Sequence, residues 1–219
     1  MSKGGVRRVA IIDYQAGNLR SCVKAFERMA DRNTEVFVAT NGAMLDQADA
    51  IVLPGQGAFG DCLNSLKAAD GLWDSLHQQV RERKRPFFGI CVGMQLLADQ
   101  GQEFGLHDGL GWIGGTVSAI RPADPSLKIP HMGWNDLQFT NGAFRHPVLA
   151  GVSEGDHAYF VHSFEFKVTG PEDCLACSEY GNPVTAIVGR DNMIGTQFHP
   201  EKSQGLGLKM IDNFLRWCP

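Results

Sequence analysis

The first half of the chain alternates short apolar runs with segments whose apolar residues recur at helical spacing. The apolar runs, which predict buried strands, are residues 9–13, 35–39, 50–53 and 86–90. The intervening segments predict helices, one of which begins after Asn18 as its N-cap. Another extends over residues 61–83, with a break at 70–71. This alternation predicts a mostly parallel sheet with helices on both faces.

The second half of the chain has a different pattern. Between residues 109 and 195, short apolar segments are separated by glycine, proline and asparagine, which predicts antiparallel strands. These segments are 116–120, 134–139, 159–166, 174–180, 184–188 and 193–197. We expect them to extend the same sheet and a final helix to cover residues 205–216. The whole pattern predicts one α/β domain over residues 1–219, with three layers and a mostly parallel central sheet between helices.

Composition narrows the classes of function. The chain of 219 residues is 43% apolar with a net charge of −4, which argues against nucleic-acid binding. Its apolar runs are too short to span a membrane, and its polar first eight residues do not resemble a signal peptide, so we expect a cytoplasmic protein. Six irregularly spaced cysteines predict free thiols. Cys174 and Cys177 form one C-x-x-C pair, too few ligands for a structural zinc site, so no metal site is predicted.

A cysteine at the end of the fourth predicted strand carries the strongest chemical signal. Cys91 has Gly89 and Gly93 two residues away on either side, the pattern of a nucleophile at a sharp strand-to-helix turn. Such a turn leaves no room for side chains beside the nucleophile. It also places the thiol at a helix N-terminus, where the thiolate is favoured. We therefore expect Cys91 to be a catalytic nucleophile.

A histidine with a nearby carboxylate follows the last predicted strand. His199 lies beyond the strand end, at the edge where sites form in open α/β sheets. Pro200 stiffens the backbone between His199 and Glu201, and residues two apart in an extended segment point the same way. Glu201 is therefore expected to orient His199, leaving the other ring nitrogen for Cys91.

These motifs resemble those of the class I glutamine amidotransferases. The resemblance is carried by residues 89–95 (Gly-Ile-Cys-Val-Gly-Met-Gln) and 198–201 (Phe-His-Pro-Glu). A narrower resemblance, to the glutaminase subunits of imidazole glycerol phosphate synthases, is carried by four further segments. They are 12–18 (Ile-Asp-Tyr-x-x-Gly-Asn), 53–59 (Leu-Pro-Gly-x-Gly-Ala-Phe), 131–135 (His-Met-Gly-Trp-Asn) and 159–163 (Tyr-Phe-Val-His-Ser). The resemblance covers nearly the whole chain and implies a flavodoxin-like fold.

The resemblance implies hydrolysis of L-glutamine to glutamate and ammonia. Cys91 would form a glutamyl thioester, and His199 would protonate the leaving ammonia and then activate water. The ammonia would pass, within a heterodimer, to a separate (β/α)8 cyclase subunit of histidine biosynthesis. That subunit would make imidazole glycerol phosphate and aminoimidazole carboxamide ribotide. Neither a metal nor an organic cofactor is implied.

The resemblance also implies roles for residues around the nucleophile. Backbone N–H groups of the loop Gly55, Gln56 and Gly57, with that of Val92, would form an oxyanion hole. Gln56 stands where the family more often has valine, but the role belongs to the backbone. The residues implied in glutamine binding are Gln95, Glu103, His162, Ser163 and Phe164, with Glu103 taking the α-amino group. The residues implied at the cyclase interface are Trp134, Asn135, Tyr159 and Lys202.

Other interpretations stay open at this level. From the residues alone, Glu103 reads as a solvated loop residue, Trp134 as a core residue, and the loop 54–57 as an ordinary turn. The chain could serve a synthase of pyridoxal phosphate, anthranilate or guanylate, although the motif at 131–135 favours the histidine pathway. It could also be a flavodoxin-like binding module without activity, which the filled triad positions disfavour, or a cysteine hydrolase of peptides.

Overall fold

In the computed structural model, which describes residues 5–15, 19–140 and 146–219, the first half of the chain alternates strands and helices as predicted. The strands are β1 Arg7–Ile12, β2 Thr34–Ala39, β3 Ala50–Gly55 and β4 Phe87–Cys91. The helices are α1 Leu19–Met29, α2 Gly42–Leu45, α3 Phe59–Ala68 and α4 Leu72–His77, the last continued by a π-helical turn at Gln78–Glu82. The predicted break near residue 71 is present, whereas the predicted cap Asn18 lies outside the described residues.

The second half contributes a short helix after β4, ten strands and a final helix in the described part of the chain. The helices are α5 Val92–Gln95 and α6 Gln204–Arg216. The strands are β5 Gln100–Gly101, β6 His107–Asp108, β7 Gly115–Ala119, β8 His131–Asp136, β9 Gln138–Phe139, β10 His157–His162, β11 Phe164–Val168, β12 Cys174–Glu179, β13 Pro183–Arg190 and β14 Met193–Thr196. Single 3-10 turns lie at Pro147–Leu149, Pro171–Asp173 and Pro200–Lys202.

The central sheet is mixed, with its parallel strands contributed mainly by the first half. Among the described residues its order is β2-β1-β3-β4-β14-β13-β12-β9. The first five strands in this order, which end with β14, run parallel to one another. From β14 outward the neighbours are antiparallel. This arrangement confirms the predicted α/β fold with antiparallel strands added in the C-terminal half.

The expectation that every later strand extends the central sheet was wrong. Strands β8 and β10 pair with each other in a separate ribbon, while β11, β7, β5 and β6 form a small second sheet. One cause is a break at Ser163, inside the segment 159–166 that was predicted as one strand. There the N–H of Ile120 donates to the Ser163 carbonyl, and the chain passes from one sheet to the other.

Aromatic side chains fill the space between the sheet and two of its helices. Phe26 of α1 and Phe214 of α6 are fully buried and meet Phe88 of β4, with ring centroids 5.2 to 6.3 Å apart. Large buried rings of this kind supply much of the apolar area that stabilises a core. Within the described residues, no helix is both long enough and apolar enough to cross a membrane.

The parallel strands bring three chain segments together at their carboxyl ends. Gly55 at the end of β3 is registered with Cys91 at the end of β4, and Thr196 of β14 with Ile90. Open α/β sheets bind their ligands at this edge. The loop after β3, the turn after β4 and the segment containing His199 therefore meet around one point.

Candidate active site

The backbone at Cys91 is held in a conformation that is rare for a residue with a side chain. Its φ is 55° and its ψ is −113°, at the junction between β4 and α5. Conformations of this kind cost on the order of 1–3 kcal/mol and persist only where the surroundings enforce them. Observed strain of this type clusters at active sites, which marks Cys91 as a candidate nucleophile.

The two flanking glycines are required by close backbone contacts. A Cβ on Gly93 would lie 1.8 Å from the carbonyl oxygen of Leu53, and one on Gly89 would lie 2.6 Å from that of Gly93. Both positions are fixed backbone, so no side-chain movement relieves either clash. The spacing of the two glycines around Cys91 is thus a packing requirement of the turn, as predicted from the sequence.

His199 and Glu201 are in contact, although the local geometry differs from the prediction. The Nδ1 of His199 lies 2.8 Å from Oε1 of Glu201, and both side chains are buried. The segment between them is a 3-10 turn that begins at Pro200, not an extended chain. Ser203 holds this turn by donating its hydroxyl to the His199 carbonyl over 2.7 Å.

The surroundings of His199 favour its protonated form. Burial lowers the pKa of the imidazole, but hydrogen bonds and charge attraction from Cys91 and Glu201 outweigh burial and raise the pKa to about 9. At neutral pH the ring therefore carries a proton beside the cysteine. A thiolate paired with an imidazolium can attack a carbonyl carbon and has an acid ready for the leaving group.

Gln197 is a neighbour of Cys91 that the sequence analysis missed. Its side-chain N–H points at Cys91 Sγ over 3.8 Å, and its Oε1 accepts from Nε2 of Gln95 over 2.9 Å. The side chain is fully buried. A signal was available in the sequence, because Gln197 ends the predicted strand 193–197 and precedes His199 by two residues.

A cavity of about 250 Å³ opens beside Cys91 and His199. Most of the residues expected to bind glutamine or form the oxyanion hole line it, namely Gln56, Gly57, Val92, Gln95, Glu103, His162, Ser163 and Phe164. Gly55 lies beneath the surface instead, where a Cβ would meet the backbone N of Gly93 at 2.8 Å. The cavity has room for a small molecule such as an amino acid.

Glu103 does more than line the cavity. Its Oε2 accepts from the backbone N–H of Phe59 over 2.8 Å, at the first residue of α3. The residue before that helix is Ala58, which has no side chain able to cap it. Glu103 therefore caps α3 from a distant loop, and a negative charge at a helix N-terminus is stabilising.

Three of the residues expected at a subunit interface lie together on the surface. Trp134 of β8 is 47% exposed and meets the Tyr159 ring edge-on at 5.8 Å. The ammonium of Lys202 lies 6.0 Å from the centroid of the same tyrosine. The alternative that Trp134 is a core residue is therefore wrong. Asn135 instead turns inward, donating to the Glu179 carbonyl and to a ring nitrogen of His131.

The C-x-x-C pair lies away from this site, on β12. A bulge in the pairing of β12 with β13 brings Cys174 Sγ within 3.5 Å of Cys177 Sγ. Both residues are free thiols. Across the described ranges, no three or more histidine, cysteine or acidic side chains are grouped so that they could hold a metal ion.

Comparison with known proteins adds a family to this geometry. The family model described as Glutamine amidotransferase class-I matches residues 10–217. Imidazole glycerol phosphate synthase subunit HisH of Rhodospirillum rubrum is 56% identical over 97% of this chain and 100% of its own length. The HisH subunit of Ruegeria pomeroyi is 53% identical over 96% and 99% of the two chains. The structure of PurLQS from Thermotoga maritima superposes with a TM-score of 0.70 at 20% identity, over 96% of this chain and 97% of that one.

Proposed function

The chain belongs to the class I glutamine amidotransferase family, and from this premise we propose that it is the glutaminase subunit of an imidazole glycerol phosphate synthase. The observation that carries the proposal is the strained Cys91 beside a cavity, with a buried imidazole whose pKa is raised to about 9. The substrate would be L-glutamine, and the products glutamate and ammonia.

The chemistry begins with attack by the Cys91 thiolate on the side-chain amide carbon of glutamine. The C–N bond then breaks as the His199 imidazolium gives its proton to the leaving ammonia, which leaves a glutamyl thioester on sulfur. Neutral His199 next removes a proton from water, the hydroxide attacks the thioester, and glutamate leaves as the thiolate reforms. Glu201 keeps the ring oriented and balances its positive charge.

The residues lining the cavity supply binding and charge stabilisation. Backbone N–H groups of Val92 and of the loop 55–57 would bind the oxyanion of each tetrahedral intermediate, where one such donor contributes roughly 3–4 kcal/mol. Glu103, already a helix cap, has a carboxylate for the substrate α-amino group. Gln95 and the backbone of residues 162–164 would bind the rest of the amino acid.

The ammonia produced here would be used by a second subunit. We propose a (β/α)8 cyclase as the heterodimer partner, making imidazole glycerol phosphate and aminoimidazole carboxamide ribotide for histidine biosynthesis. The face formed by Trp134, Tyr159 and Lys202 suits the contact, because exposed aromatic residues are enriched at interfaces. We also propose a single domain over residues 1–219 and, from its six free thiols, a cytoplasmic location.

Replacement of the nucleophile tests the activity directly. In the complex with a cyclase, Cys91→Ala is expected to lower glutamine-dependent synthesis by about 10³-fold or more, since no thioester can form. Synthesis from added ammonium salt should keep its wild-type rate, because that route bypasses the cavity. Cys218→Ser, at an exposed thiol, serves as the control and should leave both rates unchanged. Full glutamine-dependent activity in Cys91→Ala would refute the proposal.

The partner is tested through the exposed aromatic face. Trp134→Ala should weaken binding of the cyclase subunit at least tenfold, measured by titration calorimetry, because large buried aromatic anchors dominate interface energies. The isolated chain should hydrolyse glutamine slowly and accelerate when the cyclase is added. A high rate for the isolated chain that the cyclase does not change would contradict this assembly.

A further inference from the structure

Two buried histidines form a hydrogen-bonded pair at the cavity, which one of them, His162, helps to line. Nδ1 of His131 lies 2.9 Å from Nε2 of His162, and only 2% and 6% of the two residues are exposed. Neither belongs to the triad. His131 lies between the rings of Tyr180 and Phe160, with centroids 4.1 and 4.7 Å away, so its orientation is fixed on both faces.

The groups at the two ends of the pair determine where its protons lie. His162 Nδ1 faces the carbonyl oxygen of Phe164 at 2.9 Å, so this nitrogen must carry the proton. At the other end, His131 Nε2 faces the amide nitrogen of Asn135 at 3.2 Å and must accept. The Asn135 amide is itself oriented, because its nitrogen donates to the Glu179 carbonyl and its oxygen accepts the N–H of Asp136.

Both ends therefore demand the same arrangement. Each ring is neutral with its proton on Nδ1, and His131 donates to His162, which donates to Phe164. An added proton on either ring would turn two N–H groups toward each other. Burial also favours the neutral form of both rings, because it lowers the pKa of His131 to about 4 and that of His162 to about 3.

The hydrogen bonds converge on one atom, the carbonyl oxygen of Phe164, a residue that lines the same cavity as Cys91. The Phe164 carbonyl oxygen accepts from His162 and also, over 3.1 Å, from Nε2 of Gln95. The second Nε2 hydrogen of Gln95 is used by Gln197 Oε1, and Gln197 contacts Cys91. Both amide hydrogens of Gln95 are thus engaged within the protein. A flipped amide would place its oxygen against two other oxygens, so its Oε1 is the atom left for a ligand.

We propose that His131 and His162 are positioning residues that hold the Phe164 carbonyl and thereby fix Gln95 with its side-chain oxygen toward the substrate as a hydrogen-bond acceptor. The acceptor suits an N–H group, which glutamine carries on both its side-chain amide and its α-ammonium. This proposal rests on the proposed glutaminase function.

The first test is a measurement of tautomers. Nitrogen-15 NMR of the full-length protein labelled at histidine, assigned with single-residue variants, should show neutral Nδ1–H rings for both residues at neutral pH. Free histidine favours the other tautomer, so burial alone does not produce this signature. This measurement does not depend on the protein being a glutaminase. A cationic ring or an Nε2–H tautomer at either position would overturn the proposal.

The second test is kinetic and uses the complex with the cyclase. His131→Phe keeps the ring stack but removes both nitrogens, and His162→Leu removes the donor to Phe164. Each should raise KM for glutamine about tenfold with a smaller change in kcat, because a buried hydrogen bond that positions Gln95 is lost. His162→Asn restores a donor near the former Nδ1 and should recover most of the affinity.

Controls separate positioning from stability and from the function itself. His146→Leu removes another histidine whose pKa burial lowers, beside Trp217, and should leave KM unchanged. Ammonium-dependent synthesis should be unaffected in every variant. If wild-type protein does not hydrolyse glutamine, the proposed function fails while the NMR result still stands. If wild type is active but His131→Phe and His162→Leu keep its KM, the positioning role is refuted.

Discussion

His199 and the pair formed by His131 and His162 are buried in the same region of the molecule, yet their charge states differ. Burial alone would keep all three rings neutral, and it does so for the pair, lowering the two pKa values to about 4 and about 3. The pKa of His199 is instead raised to about 9. The difference comes from the atoms that face each ring.

Charged partners distinguish the two environments. His199 faces the Glu201 carboxylate and the Cys91 thiol, whereas the pair is bounded by an amide, a carbonyl and aromatic rings. Opposite charge at short range outweighs the cost of burying a cation. The positive charge on His199 also helps to lower the pKa of His162. One imidazole is thus equipped to move protons and the other two to hold a geometry.

Among changes that leave the nucleophile in place, the largest expected effect on turnover comes from making His199 resemble the neutral pair. Glu201→Gln keeps the size of the side chain and a hydrogen bond but removes the charge, so the pKa of His199 should fall from about 9 toward the range that burial imposes. Glutamine-dependent turnover should drop roughly 10²-fold, the usual scale of general acid–base catalysis. Glu154→Gln, on an exposed turn, is the matched control. Unchanged turnover in Glu201→Gln would show that the carboxylate charge is not needed.

Removing the thiol instead should also lower the pKa of His199. Cys91 is the first of the groups that raise the pKa of His199, so Cys91→Ala leaves burial opposed by Glu201 alone. The pKa of His199 should therefore fall below 9, though less far than in the double variant that combines Glu201→Gln with Cys91→Ala. Proton NMR titration of the His199 ring in the two single variants and the double variant ranks the three pKa values. A pKa that stays at about 9 without the thiol would mean that Glu201 alone sets it.

Much of this arrangement is predictable from short-range sequence signals. The buried strands were predicted from apolar runs, and the turn at Cys91 from two glycines whose missing Cβ atoms are required by contacts of 1.8 and 2.6 Å. The α/β fold and the family were confirmed. The structure brings Cys91, His199 and Glu201 together around a cavity, while their catalytic roles stay a prediction.

What was not predicted depends on contacts between distant segments. From the sequence, His131 is recognisable only as part of a motif, because its partner His162 lies 31 positions away on a strand whose pairing the sequence does not reveal. Gln197 meets Gln95 across 102 positions. The later strands divide into separate sheets partly at Ser163, whose carbonyl accepts the N–H of Ile120, just beyond the end of β7. Local periodicity carries no information about such pairings.

The neutral pair should also leave a smaller signature in acid stability. In the folded state, His131 stays neutral down to about pH 4. In the unfolded chain, the same histidine binds a proton below its ordinary pKa of 6.5. The free energy of unfolding therefore falls as the pH drops from 6.5 to about 4. At about pH 5.5 the loss is roughly 1.4 kcal/mol for one histidine. His131→Phe should reduce the drop in unfolding free energy between about pH 7.5 and 5.5 by that amount, measured by urea titration.

Between about pH 7.5 and 8.5 this histidine titrates in neither state, so the curves of wild type and variant should run parallel there. Parallel curves through the acidic range as well would show that folding does not lower the pKa of His131, which would contradict its assignment to a neutral pair.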